Sequence, residues 1–124
     1  MNSAAQRYQT NQLNTSTPGE LTLQLYNGAI RFIKLTKAAI AERQLEKAHE
    51  CNLRVQDIIS ELIITLNREY PISEQFLIMY DYMKRRMIEA NISKDVEILS
   101  EVEDLFIQFR DTWREVLKLS KQQG

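Results

Sequence analysis

The sequence predicts an all-α protein, an antiparallel up-down four-helix bundle preceded by a mobile N-terminal arm. Its 124 residues contain only three Gly and two Pro, and the abundant Leu, Ile, Glu, Lys and Ala favour helices over strands. Apolar residues recur three or four positions apart in four stretches joined by short polar turns, which makes successive helices antiparallel neighbours. We divide the chain into an arm (1–16), a bundle domain (17–120) and a C-terminal fray (121–124).

The arm is rich in Asn, Gln, Ser and Thr. Its bulky apolar groups, Tyr8 and Leu13, are too few to offset the entropy of ordering it alone. Two interpretations stay open at this point. The arm is either an inert frayed terminus or a tail whose two apolar anchors dock in a groove.

The first helix has a clear start signal. Thr17 is placed to accept a hydrogen bond from the backbone N–H of Glu20, and Pro18 occupies a position where a missing N–H costs nothing. The helix is apolar around most of its circumference, so it needs cover on several sides. Gly28 lies in its middle, where it costs about 1 kcal/mol relative to Ala; we expect it to mark a close approach by another backbone.

The second helix follows the short turn at Glu42–Gln44. Cys51 and Ile58 widen its apolar seam into the broad stripe of a bundle helix, and the helix ends before Pro71, since Tyr70 is pushed away from helical angles. The seam consists of Leu45, Ala48, Asn52, Val55, Ile59, Leu62 and Leu66.

Ser73 is the expected cap of the third helix. Outside its seam, Ile78 and Tyr82 are four residues apart and therefore neighbours on the outward face, where a solvated helix normally carries charge. This pair predicts a partner. The seam consists of Phe76, Tyr80, Met83, Met87 and Ala90.

The fourth helix follows a turn at Asn91–Lys94, with Ser93 as its expected cap. We expect Phe109 and Trp113 to be the largest core fillers in the chain. The seam consists of Leu99, Val102, Phe106, Phe109, Trp113 and Val116.

Little in the chain points to catalysis or to a cofactor. Glu46 and His49 supply one copy of the Glu-x-x-His motif used by dinuclear metal sites in bundles, but His49 is the only histidine, so the second copy cannot exist. A phosphorelay role would rest on His49 alone. Because no phosphate loop, paired Cys or nucleophile with a plausible base is present, we predict that the protein is not an enzyme and binds neither metal nor cofactor.

Charge and hydropathy limit the possible partners. The net charge is -1, from 16 basic and 17 acidic side chains, so no global field attracts nucleic acid. The short basic run Lys84–Arg86 is expected to be a solvated face, with Arg86 paired to acidic side chains of an adjoining helix. No signal peptide, disulfide partner for Cys51 or membrane-length apolar run is evident, which predicts the cytosol and no membrane insertion.

A surplus of apolar side chains remains outside the seams. Contiguous exposed apolar patches mark interaction sites, whereas scattered ones have no such meaning. A peptide groove, an oligomer interface and ordinary packing are the three alternatives. The candidate partner-binding residues are Leu23, Ile30, Ile58, Ile64, Ile78, Tyr82 and Leu105.

The chain closely resembles the flagellin export chaperone family called FliS from about Tyr8 to Trp113, with all four helices contributing in order. One departure is Asn27, where the family commonly has Asp. The matching stretches are Tyr8, Asn11, Thr17-Pro18-Gly19-Glu20-Leu21, Leu25 to Phe32, Asp57 to Leu62, Leu66-Asn67, Tyr80 to Met83, Arg85-Arg86, Glu89-Ala90-Asn91 and Phe109 to Trp113.

The resemblance implies a chaperone that works without ATP and binds the otherwise disordered C-terminal segment of flagellin. Such binding blocks premature polymerisation in the cytosol, and the family is thought to present flagellin to the flagellar export gate. The apolar surplus supplies a mode of binding, because an amphipathic segment can lay its apolar face between helices. The alternative is a structural or regulatory module that closes a homo-oligomer; we expect a monomer or weak homodimer when free.

Overall fold

Residues 17–123 are described by the computed structural model, and within this range the chain forms four helices and no strand. Helices α1 and α3 each pack against both α2 and α4. The start of α1, the end of α2, the start of α3 and the end of α4 surround one cavity, so neighbouring helices are antiparallel and the predicted four-helix bundle is confirmed. The helices are α1 (Pro18–Ala41), α2 (Leu45–Thr65), α3 (Ser73–Ser93) and α4 (Val96–Gln123).

The predicted start of α1 is confirmed. The Thr17 hydroxyl oxygen accepts from the backbone N–H of Glu20 at 3.1 Å, and Pro18 is the first helical residue. This cap satisfies one of the four amide groups that a helix start leaves without an intrahelical partner.

Gly28 has a different neighbour from the one expected. A Cβ atom built on Gly28 would meet only the side-chain tip of Ile58, with Cδ1 at 3.4 Å. The expectation of a close backbone approach is therefore wrong, because the Ile58 side chain of α2 fills the space beside Gly28.

Both caps predicted beyond α1 are corrected. Ser73 is buried within α3, whose N-cap is Ile72 without a side-chain hydrogen bond; the amide of Ser73 bonds instead to the carbonyl of Tyr70 at 3.0 Å. Ser93 ends α3 rather than starting α4. Asp95 takes the capping role, since its Oδ1 accepts from the N–H of Glu97 at 2.9 Å.

Two tight turns close the end of the bundle opposite the cavity. Arg43 and Lys94 adopt left-handed backbone angles, with φ of 59° and 55°. At the first turn, the amide of Arg43 bonds to the carbonyl of Ile40 at 3.0 Å and that of Gln44 to the carbonyl of Ala39 at 2.8 Å, which is the Schellman pattern that usually places Gly at the left-handed position.

The core draws on all four helices and follows the predicted seams. Phe106 is the largest fully buried side chain, whereas Phe109 and Trp113 are half-buried at the margin of the core. The expectation that these two would be the main core fillers is wrong, because both lie where α4 approaches the open cavity. The fully buried apolar residues include Ile33, Val55, Ile59, Met83, Met87, Leu99 and Val102.

The buried polar side chains are paired. Asn52, 1 % exposed, donates from Nδ2 to the carbonyl of Met87 at 3.1 Å and accepts from Gln56 at 2.8 Å. Within residues 17–123, every buried side-chain nitrogen or oxygen atom has a hydrogen-bond partner, as stable interiors require.

The end of α4 extends further than predicted. The helix continues to Gln123, so residues 121–123, where we expected fraying, are helical. The predicted arm, with its anchors Tyr8 and Leu13, lies outside the described residues. The division into arm, bundle domain and fray otherwise stays a prediction.

Candidate functional site

A groove of about 510 Å³ runs between α3 and α4, and we call it the α3–α4 groove. Its apolar residues are Ile78, Met79 and Leu105, with the Tyr82 ring beside them. Polar side chains from both helices complete its lining. The groove is lined by Ile78, Met79, Tyr82, Arg85, Glu101, Asp104, Leu105 and Gln108.

Three candidate partner-binding residues meet in this groove. Ile78 and Tyr82 come from α3 and Leu105 comes from α4. Ile78 is 65 % exposed, while Tyr82 and Leu105 are half-buried against the core. The expected proximity of Ile78 and Tyr82 is therefore present, and α4 adds an apolar side chain opposite them.

A hydrogen-bonded cluster fixes the Tyr82 side of the groove. The Tyr82 hydroxyl donates to Glu101 Oε2 at 2.9 Å, and Arg86 Nε donates to Glu101 Oε1 at 2.8 Å. The hydrogen bond from Arg86 and then that from Tyr82 lower the pKa of Glu101, and the bond to Glu101 raises the pKa of Tyr82. Tyr82 is thereby held as a protonated donor.

The basic run at Lys84–Arg86 is engaged within the protein. Arg86 pairs with Glu101 of α4, as predicted, and with Glu89 of its own helix at 2.7 Å. Lys84 donates to Ser60 Oγ at 2.8 Å. Arg85 pairs with Asp81 at 3.1 Å. Lys84 and Arg86 therefore link α3 to α2 and to α4, whereas the Arg85–Asp81 pair lies within α3.

A second cavity, of about 610 Å³, opens at the end of the bundle where α1 begins, and we call it the end cavity. Tyr26 and Tyr80 both line it, and their hydroxyl oxygens are 2.6 Å apart. The other main apolar residues of its lining are Leu62, Leu66, Phe76, Trp113, Val116 and Leu117, and Thr17, Pro18 and Glu20 contribute from the start of α1.

The remaining candidate partner-binding residues do not join these cavities. Ile30 is 5 % exposed and belongs to the core, so its expected outward position is wrong; α1 is covered by both α2 and α4. Ile58 packs partly buried against the core, Leu23 is half-buried, and Ile64 is 76 % exposed. These four residues line neither the α3–α4 groove nor the end cavity.

The end cavity has no counterpart among the sites predicted from the sequence. Its apolar residues, such as Phe76, Tyr80 and Trp113, belong to the predicted seams and were therefore assigned to the core. One signal in the sequence could have revealed it. The apolar pattern of α4 continues past Trp113 to Val116 and Leu119, and these two side chains are 43 % and 55 % exposed.

The structure offers no metal cluster or membrane span in the part it describes. His49 is exposed, and its Nδ1 lies 2.8 Å from Nδ2 of Asn91, so His49 accepts a hydrogen bond from that amide. Residues 17–123 contain no group of three or more His, Cys, Asp or Glu side chains able to hold a metal ion. None of the four described helices is long and apolar enough to cross a membrane.

The family model that matches this chain and the known proteins similar to it carry the same family name. The family model described as flagellar protein FliS matches residues 1–120. A protein of Bacillus subtilis (strain 168), named flagellar secretion chaperone FliS, is 45 % identical over 115 residues, which cover 93 % of this chain and 86 % of the relative. The proteins of that name from Campylobacter jejuni and Escherichia coli (strain K12) are 28 % and 26 % identical, covering 93 % and 79 % of this chain and 91 % and 74 % of their own lengths. The matched residues and the helical bundle together show that this chain belongs to the flagellar protein FliS family.

Proposed function

We propose that this chain is a cytosolic flagellar secretion chaperone that binds the amphipathic C-terminal segment of flagellin. The observation that carries the proposal is the 45 % identity, over 93 % of the chain, to a protein named flagellar secretion chaperone FliS. Binding prevents premature polymerisation, because an apolar face covered by the chaperone cannot pack against another flagellin subunit. The chaperone then presents flagellin to the export gate, acting as a binding protein without catalysis.

The α3–α4 groove supports this mode of binding. Ile78 and Leu105 offer an apolar strip to a helical guest, and each aliphatic side chain that becomes fully buried contributes about 1.5–3 kcal/mol. Arg85, Asp104 and Gln108 also line the groove. They provide polar contacts for the hydrophilic flanks of the guest, as the rim of a helix-in-groove complex does.

Substitution of Ile78 tests the site. Ile78→Asp should weaken binding of a flagellin C-terminal peptide at least about tenfold in titration calorimetry, because it places a charge against the guest's apolar face. The melting temperature should change little, since Ile78 is 65 % exposed. The matched control is Ile92→Asp on the same helix, at a residue that is 82 % exposed and outside the groove. Equal binding by both variants would reject this groove.

The N-terminal arm has a place in the same proposal. Residues 1–16 precede Thr17, which lines the end cavity, and we propose that Tyr8 and Leu13 cover part of the binding surface when flagellin is absent. Removal of residues 1–16 should then raise the affinity for the flagellin peptide. Unchanged affinity in calorimetry would reject competition by the arm.

The alternative, a homo-oligomeric module, is tested by light scattering after size-exclusion chromatography. Several large apolar side chains are exposed, including Ile64 and Ile92, and could close a homo-oligomer. A chaperone should elute as a monomer or weak dimer and form a complex with flagellin. A dimer that persists at low micromolar concentration and does not change when flagellin is added would favour the alternative.

A further inference from the structure

Two arginines of neighbouring helices meet at one aromatic ring. The guanidinium carbon of Arg31 lies 5.8 Å from the centroid of the Phe32 ring, and that of Arg54 lies 6.0 Å from the same centroid. Arg31 and Phe32 belong to α1, and Arg54 belongs to α2. Contact between a guanidinium and the face of an aromatic ring is attractive, so Phe32 gathers positive charge from both helices at one place.

Neither arginine is neutralised within the described part of the chain. Among residues 17–123, the guanidinium groups of Arg31 and Arg54 form no ion pair and no hydrogen bond. Arg54 lies about one turn from both Glu50 and Asp57 on α2 but contacts the ring instead. The N–H groups of both arginines are therefore available to an acceptor on another molecule.

An apolar surface adjoins the ring. Gly28 lies one turn before Phe32 on α1, and Ile58 lies one turn after Arg54 on α2. The Cδ1 atom of Ile58 is 3.4 Å from the position that a Cβ atom of Gly28 would occupy, so the two residues are in contact across the helices. Gly28, Phe32 and Ile58 are all half-buried. We call Gly28, Arg31, Phe32, Arg54 and Ile58 the α1–α2 face.

We infer that the α1–α2 face binds a helical segment of a second protein, which presents two carboxylates one turn apart to Arg31 and Arg54 and an apolar side chain to Ile58. Arginine suits this task, since its planar guanidinium can donate two parallel hydrogen bonds to one carboxylate. The inference does not depend on the proposed function. The α1 and α2 helices lie on the side of the bundle opposite the α3–α4 groove, so the partner can bind while that groove is occupied.

The ring lowers the cost of binding through these two arginines. An exposed arginine loses rotamer entropy when a partner fixes it, but contact with Phe32 already restricts Arg31 and Arg54. Two other exposed arginines, Arg43 and Arg114, also form no side-chain ion pair among residues 17–123, and neither of them contacts a ring there. The α1–α2 face therefore differs from the rest of this surface in holding its positive charge in place.

Other occupants match the charges of the α1–α2 face less well. Residues 1–16 contain no Asp or Glu and carry the basic Arg7, so the arm has no carboxylate for the two arginines. A nucleic acid requires positive charge along a run of phosphates, but the exposed carboxylates of Glu50 and Asp57 flank Arg54 on α2 and would repel it. A protein segment with two local carboxylates meets neither obstacle.

Titration calorimetry with a designed peptide tests the inference. The probe is a peptide of about 15 residues, long enough for partial helicity, with blocked ends, two Glu four positions apart and a Leu one turn further on. Its binding should weaken about 3- to 10-fold for Arg31→Gln/Arg54→Gln. The matched control is Arg43→Gln/Arg114→Gln, which removes the same charge from exposed positions. The affinity of the control should stay close to that of the wild type.

Two further measurements separate the ring and the carboxylates from charge alone. Phe32→Leu keeps both positive charges and an apolar side chain but removes the ring, so the affinity for the peptide should also fall. A peptide with Gln in place of both Glu should bind the wild type more weakly than the Glu peptide does. This difference should shrink as the salt concentration rises, because salt screens exposed charges.

Several results would overturn the inference. Equal binding of the Glu peptide by the two double variants would deny the pair Arg31 and Arg54 a role. Tighter binding of a single-stranded oligonucleotide, abolished by Arg31→Gln/Arg54→Gln, would assign the face to nucleic acid. A wild-type dimer that the same variant abolishes, measured by light scattering, would assign it to a second copy. Displacement of the Glu peptide by a flagellin C-terminal peptide would show that the two share one surface, contrary to the inference.

Discussion

The indole Nε1 of Trp113 donates a hydrogen bond to the backbone carbonyl of Gly19 at 2.7 Å. This bond joins the late turns of α4 to the first turn of α1, 94 residues apart in sequence. Leu117 adds a close contact, because a Cβ atom on Gly19 would lie only 2.7 Å from its Cδ2. The beginning of the bundle is thus fixed by α4, in the same region that borders the end cavity.

Substitutions at Trp113 should separate packing from hydrogen bonding. Trp113→Phe removes the bond to Gly19 and should lower the free energy of unfolding by about 1 kcal/mol. Trp113→Ala also removes a half-buried ring and should cost about 2–3 kcal/mol, less than a fully buried Trp would. Urea denaturation measures both. Equal losses for the two variants would mean that the hydrogen bond, rather than the ring, carries the stabilisation.

Glu103 should make stability depend on pH. It is 7 % exposed on α4 and pairs with Lys37 at 2.8 Å and Lys34 at 3.3 Å. Burial by itself raises the pKa of its carboxyl, but the hydrogen bonds from the two lysines outweigh burial and place the pKa below the ordinary value of 4.5. The folded state therefore binds the proton more weakly than the unfolded state. This stabilisation is present above the ordinary pKa and is lost as the pH falls through the folded pKa.

Glu103→Gln tests this dependence. The variant should be less stable by about 2 kcal/mol near neutral pH, because a charge-assisted bond is lost. Its free energy of unfolding should fall less steeply than that of the wild type from about pH 5 to about pH 3. Glu101, whose pKa is also lowered, keeps its own contribution in both proteins and serves as an internal reference. Parallel pH profiles would show that Glu103 is not the source.

Asn52→Asp should be strongly destabilising at neutral pH. The substitution replaces the donor to the Met87 carbonyl by a charged acceptor at a position 1 % exposed, and should cost about 3 kcal/mol. Burial raises the pKa of such a carboxyl, so its protonation should narrow the difference from wild type as the pH falls. Asn67→Asp is the control, since Asn67 is exposed and its Oδ1 accepts from the amide of Glu69; its stability should hardly change.

Arg43→Gly should stabilise the protein by about 0.5–1 kcal/mol, because Gly adopts the left-handed angles at this position without the penalty that a Cβ atom imposes. Glu42→Gly in the same turn is the matched control. Its φ of −93° is ordinary for any residue, so Gly there should lose stability through the greater freedom of the unfolded chain. Thermal unfolding checks both, and a destabilised Arg43→Gly would show that the Arg43 side chain contributes to the turn.

Sequence patterns predicted the helices and the core better than they predicted the caps. Apolar periodicity extends over many residues, so the seams through Val55, Met83 and Leu99 emerged correctly. A helix cap, by contrast, depends on a single residue, and more than one residue near a helix start can be of a type that caps it. The α3–α4 connection shows this competition, since Lys94 adopts left-handed angles and leaves Asp95, rather than Ser93, to cap α4.

The candidate site was partly predictable for a related reason. Ile78 and Tyr82 could be identified as neighbours because both lie on one helix, and spacing on a helix is fixed by sequence. Their meeting with Leu105, and the contact of Tyr26 with Tyr80, depend on how different helices pack. Similar apolar side chains serve the core and the cavities, so the buried Ile30 and the exposed Ile78 could not be separated from pattern alone.

The two tight turns, at Arg43 and Lys94, lie at one end of the bundle, whereas the longer α2–α3 connection and the tip of α4 lie at the other. Local opening is easiest where few contacts resist it. Amide hydrogens near the longer connection should therefore exchange with deuterium sooner than those beside the turns. Local opening at the end with the α2–α3 connection would admit a polypeptide there, while the two tight turns keep the four helices in register at the opposite end.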